Sequence, residues 1–226
     1  MLKPILGPFR RFWESDRGLT TFLAILIVNV FVLPPLFTPG LFARLTFEVI
    51  FALLLVAGIA SVSVSRATRS ILTTVAIVAV IVRWLAQLAP SLGLDVAGAA
   101  SGIASTGLLA VVVLGQVLRA GPVTAHRVLG AVAAYLLFGL TFAGVYHLVS
   151  LVEPGAIAGP GIEPGAGIMS FVYFSFITLT TVGYGDVTPV HVVARSLAIL
   201  EALTGQLYPA ILIARLVSLE IRDRGD

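Results

Sequence analysis

The chain has 226 residues, 58% of them hydrophobic and 11% charged, with no cysteine and a formal net charge of +3. A water-soluble domain does not hide that much apolar surface, so a soluble fold is excluded. Absent cysteines remove disulfides, thiolate metal sites and cysteine catalysis, and the few Lys and Arg form no basic patch with interleaved aromatics outside the N-terminus, which argues against a nucleic-acid partner.

A bilayer-spanning helix needs about 20 apolar residues. Six stretches reach that length, at about 19–36, 46–65, 70–89, 100–118, 128–151 and 190–218. Ahead of them, residues 1–18 place Lys3, Arg10, Arg11 and Arg17 among Phe9, Phe12 and Trp13. That pattern predicts a short interfacial helix with aromatic anchors. A cleaved signal peptide is the competing reading. It fits less well, because the apolar run that follows is too long and Pro34-Pro35 stands where small residues would mark a cleavage site. With the N-terminus inside, eleven of the fourteen Lys and Arg fall at cytoplasmic ends, leaving Arg44, Arg83 and Arg195 outside. The positive-inside rule thus sets both termini in the cytoplasm of a plasma-membrane protein.

Span 1 contains Asn29, a packing hydrogen bond by default. Glu48 near the start of span 2 and Arg83 towards the outer end of span 3 should lie at similar depth. They either pair inside the membrane or snorkel separately to the interface. Span 4, from Ala100 to Leu118, carries no charge and is rich in glycine. Gly121-Pro122 breaks the helical pattern before span 5. Residues 153–167, EPGAIAGPGIEPGAG, read as an extracellular loop whose carboxylates Glu153 and Glu163, together with Asp186, would raise the local cation concentration. Ile168 to Thr180 is apolar but too short to span, which suits a re-entrant helix. Then comes TLTTVGYGD, from Thr178 to Asp186. Glycines at 183 and 185 admit backbone conformations that a Cβ forbids, so carbonyls of Thr181, Val182, Gly183, Tyr184 and Gly185 are able to point to one side.

This stretch resembles the pore of tetrameric potassium channels. Asp186 and Pro189 follow the five residues as in that family, Arg195 lies where it often carries Arg or Lys, and Gly205 where it often has a hinge glycine. The resemblance is strong over residues 130 to 219 and only an outline over the first 120. It implies an all-α membrane protein with six transmembrane helices, a re-entrant pore helix and a selectivity filter, assembled as a homotetramer with C4 symmetry. It implies an N-terminal segment at 1–18, a four-helix domain at 19–120 in the voltage-sensor position, and a pore domain at 121–226. Potassium ions would be the permeant species, held by filter carbonyls in place of water. The lipid bilayer and three further copies of the chain would be its partners.

Departures from the family pattern matter as much. Its voltage sensors carry a cation every third residue in span 4, and here the first is Arg119. Weak voltage dependence is therefore expected. The family's paired tryptophans in the pore helix are replaced by Tyr173 and Phe174, although the Tyr173 hydroxyl is able to donate to Asp186. Glu201 needs a hydrogen-bond partner or must stay protonated. Thr178 is the expected partner, in support of the filter; the alternative is a carboxylate facing an aqueous cavity. Gly205 and Pro209 are the places where span 6 is able to bend, or sites that merely ease packing. His126, His147 and His191 are scattered and form no catalytic or metal cluster, so an enzyme is not expected. His191 is placed near the outer mouth, as an external pH sensor or a plain interfacial residue. Two other classes compete with a conducting channel: a non-conducting regulatory subunit and a channel-derived potassium transporter component.

Overall fold

A computed structural model describes residues 16–32, 36, 41–62, 64–119, 124–163 and 166–225. The expected interfacial helix before residue 16, Pro34-Pro35 and the break at Gly121-Pro122 lie outside these described residues. Among the described residues seven α-helices follow in order: α1 (Asp16–Ile27), α2 (Leu41–Ser61), α3 (Arg66–Leu88), α4 (Leu92–Val117), α5 (Ala125–Val152), α6 (Ile168–Leu179) and α7 (Val192–Gly225). Two short strands, β1 (Ile157–Ala158) and β2 (Thr188–Pro189), flank α6.

Local chemistry fixes several boundaries. Ser65 caps α3, its Oγ accepting from the Thr68 amide at 3.1 Å. Ser91 caps α4 in the same way, accepting from the Leu94 amide at 3.3 Å, and Asp95 sits in the first turn, where a carboxylate complements the helix dipole. Hence α4 begins at Leu92, well ahead of the apolar run expected from about 100. The hydrophobic stretch marks the part that crosses the membrane, whereas the cap marks where the helix starts. At its other end α1 widens into a π-helical turn, Val28–Val32, with Asn29 buried in it.

α3, α4, α5 and α7 each hold an apolar stretch long enough to cross a bilayer. The first two expected spans are also helical, but their described apolar parts, Gly18–Val32 and Leu45–Ser61, are shorter. α6 is shorter still. The chain is a mainly α-helical membrane protein.

α5 is the hub, packing against α1, α4, α6 and α7. Its fully buried Ala133, Ala134 and Ala143 let neighbouring backbones approach, which is how helices associate without a hydrophobic drive between them. Thr141 on α5 donates to Thr106 on α4 at 3.1 Å. Between α2 and α3, the Arg83 Nε and Nη2 each donate to Glu48 at 2.7 Å, and the guanidinium lies over Phe51 at 4.6 Å. Of the two readings open for these residues, the pair is the one formed.

Residues after α5 do not form a plain solvated loop. β1 pairs antiparallel with β2, Ile157 opposite Pro189 and Ala158 opposite Thr188. The amides of Val190 and His191 both donate to Ala156 O, at 2.8 and 3.1 Å. Ala156 and Ile157 are buried as a result. The loop is therefore strapped to the segment that follows TVGYG.

Candidate functional site

α6 stops because the chain changes backbone region. Thr180 caps it, and φ then turns positive at Thr181 (+59°), Gly183 (+54°) and Gly185 (+80°). Alternation between left-handed and ordinary φ sends successive N–H groups to one side. The hydrogen bonds follow suit: Thr181 N–H donates to Thr178 O at 2.9 Å, Val182 N–H to Ile177 O at 2.9 Å and Gly183 N–H to Ile177 O at 3.1 Å. In a trans peptide the carbonyl points opposite to the N–H of the next residue. The carbonyls of Thr180, Thr181 and Val182 must then point away from α6, in a row. A non-glycine residue at positive φ is uncommon, and a β-branched one is an outlier. Such strain concentrates at functional sites, and here Thr181 bears it.

Four contacts brace the segment beyond this row. Tyr173 on α6 donates its hydroxyl to Asp186 Oδ2 at 2.7 Å. Asp186 Oδ1 also accepts from the Val187 amide at 2.9 Å. The Tyr173 bond, foremost, and the backbone amides hold the Asp186 carboxyl below its usual range, since each favours the charged form. Arg195, at the start of α7, donates Nε to Pro189 O at 3.2 Å. Finally, Gly159 in the strapped loop, with φ +147°, lies directly against the Asp186 carbonyl, leaving no room for a Cβ. His191 Nδ1 accepts from the Val193 amide at 3.3 Å, so it caps the start of α7.

Behind α6, Glu201 of α7 is fully buried. Its partner is not Thr178, whose Oγ1 donates to Phe174 O on its own helix at 2.8 Å. The contacts are Ser175 of α6, at 2.5 Å from Oε1, and Tyr146 of α5, at 2.7 Å from Oε2. Register explains the correction. Gly205 meets the Leu179 carbonyl so closely that a Cβ would strike it. One turn earlier on each of these two helices brings Glu201 to Ser175, four residues before Leu179. Thr178 lies about 100° around the helix from Leu179. Being enclosed by protein, Glu201 does not face an aqueous cavity within this chain. Tyr146 was missed in the sequence reading. The signal available was the one acid in the span that follows the filter, which needed a hydroxyl donor, but Tyr135, Thr141 and Ser150 in the same span offered hydroxyls as well.

α7 runs unbroken through Gly205 and Pro209. Pro209 has no N–H to offer the carbonyl of Gly205, so both sequence features fall on the same backbone step. Tyr208 beside it donates to Ala131 O on α5 at 2.7 Å, and Tyr135 on α5 donates to Leu179 O at 3.2 Å. The end of α6 is thus held by α5 and α7 together.

A strained carbonyl row thus sits between a short apolar helix, α6, and a long helix, α7, that is apolar enough to cross a membrane. Residues 131–221, which run from α5 to α7, match the model of a family described as ion channels. This segment, from α5 to α7, is what the chain shares with that family. Among curated proteins, Protein LctB of Bacillus caldotenax is 38% identical over 88 residues, covering 37% of this chain and 64% of that protein. Protein LctB of Geobacillus stearothermophilus is 41% identical over 71 residues, covering 31% of this chain and 50% of that protein. The chain therefore spans less than two thirds of the length of either relative. No solved structure matches.

Proposed function

We propose that the chain is a potassium-selective channel subunit, that four copies surround one pore in the plasma membrane with termini on the cytoplasmic side, and that it conducts passively and performs no catalysis. The observation that carries this is the row of carbonyls from Thr180 to Val182, turned away from α6 by amides bonded to its end. One row cannot replace the water around an ion; four rows about an axis do so. Val182 and Tyr184 are 51% and 73% exposed in the single chain, and neighbouring copies would cover them. Asp186, ionised at neutral pH, adds negative charge at the mouth. Rubidium flux into vesicles containing this protein alone, with reversal potentials in mixed potassium and sodium, tests the proposal. Expected is passive flux with potassium strongly preferred. Equal sodium permeability overturns the selectivity. Absence of flux favours the regulatory-subunit reading, and uptake that saturates with a coupled ion favours the transporter.

Conduction is expected to depend only weakly on voltage. A charge crossing the whole field changes energy by about 2.3 kcal/mol per 100 mV, and steeply gated channels move roughly 3–4 charges per subunit. α4 presents none between Ala100 and Leu118. Arg83 on α3 is clamped to Glu48 by two bonds of 2.7 Å, so moving it alone would leave a carboxylate unpaired in the membrane. Macroscopic currents in symmetric potassium over about 100 mV either side of zero should give a shallow relation. A steep sigmoid that survives Arg83→Gln would refute this.

A further inference from the structure

The junction of α5, α6 and α7 contains more hydrogen bonds than an ionised Glu201 is able to sustain. Three oxygen–oxygen contacts run in a chain: Tyr146 Oη to Glu201 Oε2 at 2.7 Å, Glu201 Oε1 to Ser175 Oγ at 2.5 Å, and Ser175 Oγ to Gly139 O at 2.7 Å. Each is a hydrogen-bond distance, and each needs one hydrogen. Tyrosine and serine hydroxyls carry one apiece, a carboxylate carries none and a backbone carbonyl carries none. Two hydrogens cannot fill three contacts. If Ser175 donates to a carboxylate, it has nothing left for Gly139; if it donates to Gly139, two oxygen lone pairs face each other at 2.5 Å. A proton on Glu201 Oε1 resolves the count, with Glu201 donating to Ser175, Ser175 to Gly139, and Tyr146 to Oε2.

We infer that Glu201 carries a proton in the working protein and acts as a neutral clamp that positions the pore helix. All of Glu201, Ser175 and Tyr146 are fully buried. Among the described residues Glu201 has no ion-pair partner. The titratable groups that face it are Tyr146 and Tyr135, both from α5; α6 offers only the Ser175 hydroxyl. An isolated charge in such a place is expensive, whereas a neutral acid with both oxygens bonded is not. The clamp also lies where it matters. Ser175 is two residues before Ile177, whose carbonyl receives the Val182 and Gly183 amides. Phe176, between them, sits against Gly139, where a Cβ would come within 2.6 Å of its ring. Fixing Ser175 to α5 and α7 therefore fixes the base on which the carbonyl row is built.

The effect on conduction rests on the channel reading, but the proton does not, so the two are tested separately. An infrared difference spectrum between the unmodified protein and Glu201→Gln, in lipid at neutral pH, is expected to show the carbonyl stretch of a protonated carboxylic acid. That band should persist at pH values where exposed carboxylates are ionised. Absence of the band overturns the inference whatever the flux. For the positioning role, Glu201→Gln keeps all three bonds, since its amide N–H₂ donates to Ser175 and its amide oxygen accepts from Tyr146. Its rubidium flux should match the unmodified protein, while Glu201→Ala, which leaves Tyr146 unpartnered and Ser175 bonded to Gly139 alone, with no tie to α7, should lose most of it. Equal loss in the two variants overturns the clamp. A band with no flux in any form would leave the proton assigned and sink the channel reading instead.

Discussion

Gly205→Ala is expected to separate α7 from the end of α6 and abolish conduction. A Cβ at this position would fall on the Leu179 carbonyl oxygen, 2.7 Å from the carbonyl carbon and 3.2 Å from Leu179 Cα. Both sides of the contact are backbone, so no side chain is able to swing aside. Leu179 is fully buried and its carbonyl is already held by Tyr135, which blocks retreat on that side as well. Overpacking of this kind costs about 1–3 kcal/mol in each chain, and the proposed symmetric pore would repeat it in every copy. Gly115→Ala in α4 is the control: nothing lies within 4 Å of its Cβ position, and alanine is preferred over glycine in a helix by roughly 0.5–1 kcal/mol. Thermal melting should fall for the first variant and hold or rise for the second. Unchanged melting and flux in Gly205→Ala would show that α6 and α7 do not touch here.

Much of the site was legible because its signals are local. Glycine at 183 and 185 needs no knowledge of the fold to be read as positive φ, and the structure adds Thr181 to the pair. A tyrosine thirteen residues before Asp186 was legible as its donor, because the short helix and the turn after it bring the two ends together. Contacts that depend on how two helices cross were not legible. Choosing Ser175 over Thr178 required the Gly205–Leu179 register, which no periodicity in either helix reveals. The strap from Ala156 to Val190 and His191 was hidden by a loop composition rich in glycine and proline, which marks turns but says nothing about what they pair with. Glu48 and Arg83 were placed at similar depth by counting residues from the membrane ends, yet depth alone does not say whether two side chains share a side of their helices.

Gly183→Ala is expected to remove potassium flux while leaving the protein assembled. The sequence suggests that a Cβ there would obstruct the turn. In the structure nothing lies within 4 Å of that Cβ position, but φ is +54°, so the penalty comes from the backbone itself. An L-residue in the left-handed region costs about 1–2 kcal/mol. Four copies around one pore would bring that to about 4–8 kcal/mol, concentrated in a segment already strained at Thr181. Relief comes from rotating residue 183 to negative φ. That rotation swings its peptide planes, breaks the Gly183 N–H bond to Ile177 O and turns the Val182 carbonyl out of the row. Gly155→Ala supplies the comparison, because Gly155 has φ +85° with nothing within 4 Å and lies in the loop after α5. It bears the same backbone penalty away from the carbonyls. Rubidium uptake and gel filtration of both variants separate strain from role. Expected are unchanged elution for both, flux retained in Gly155→Ala and flux lost in Gly183→Ala. Potassium passing through Gly183→Ala at the unmodified rate would mean that the carbonyl row is not what conducts.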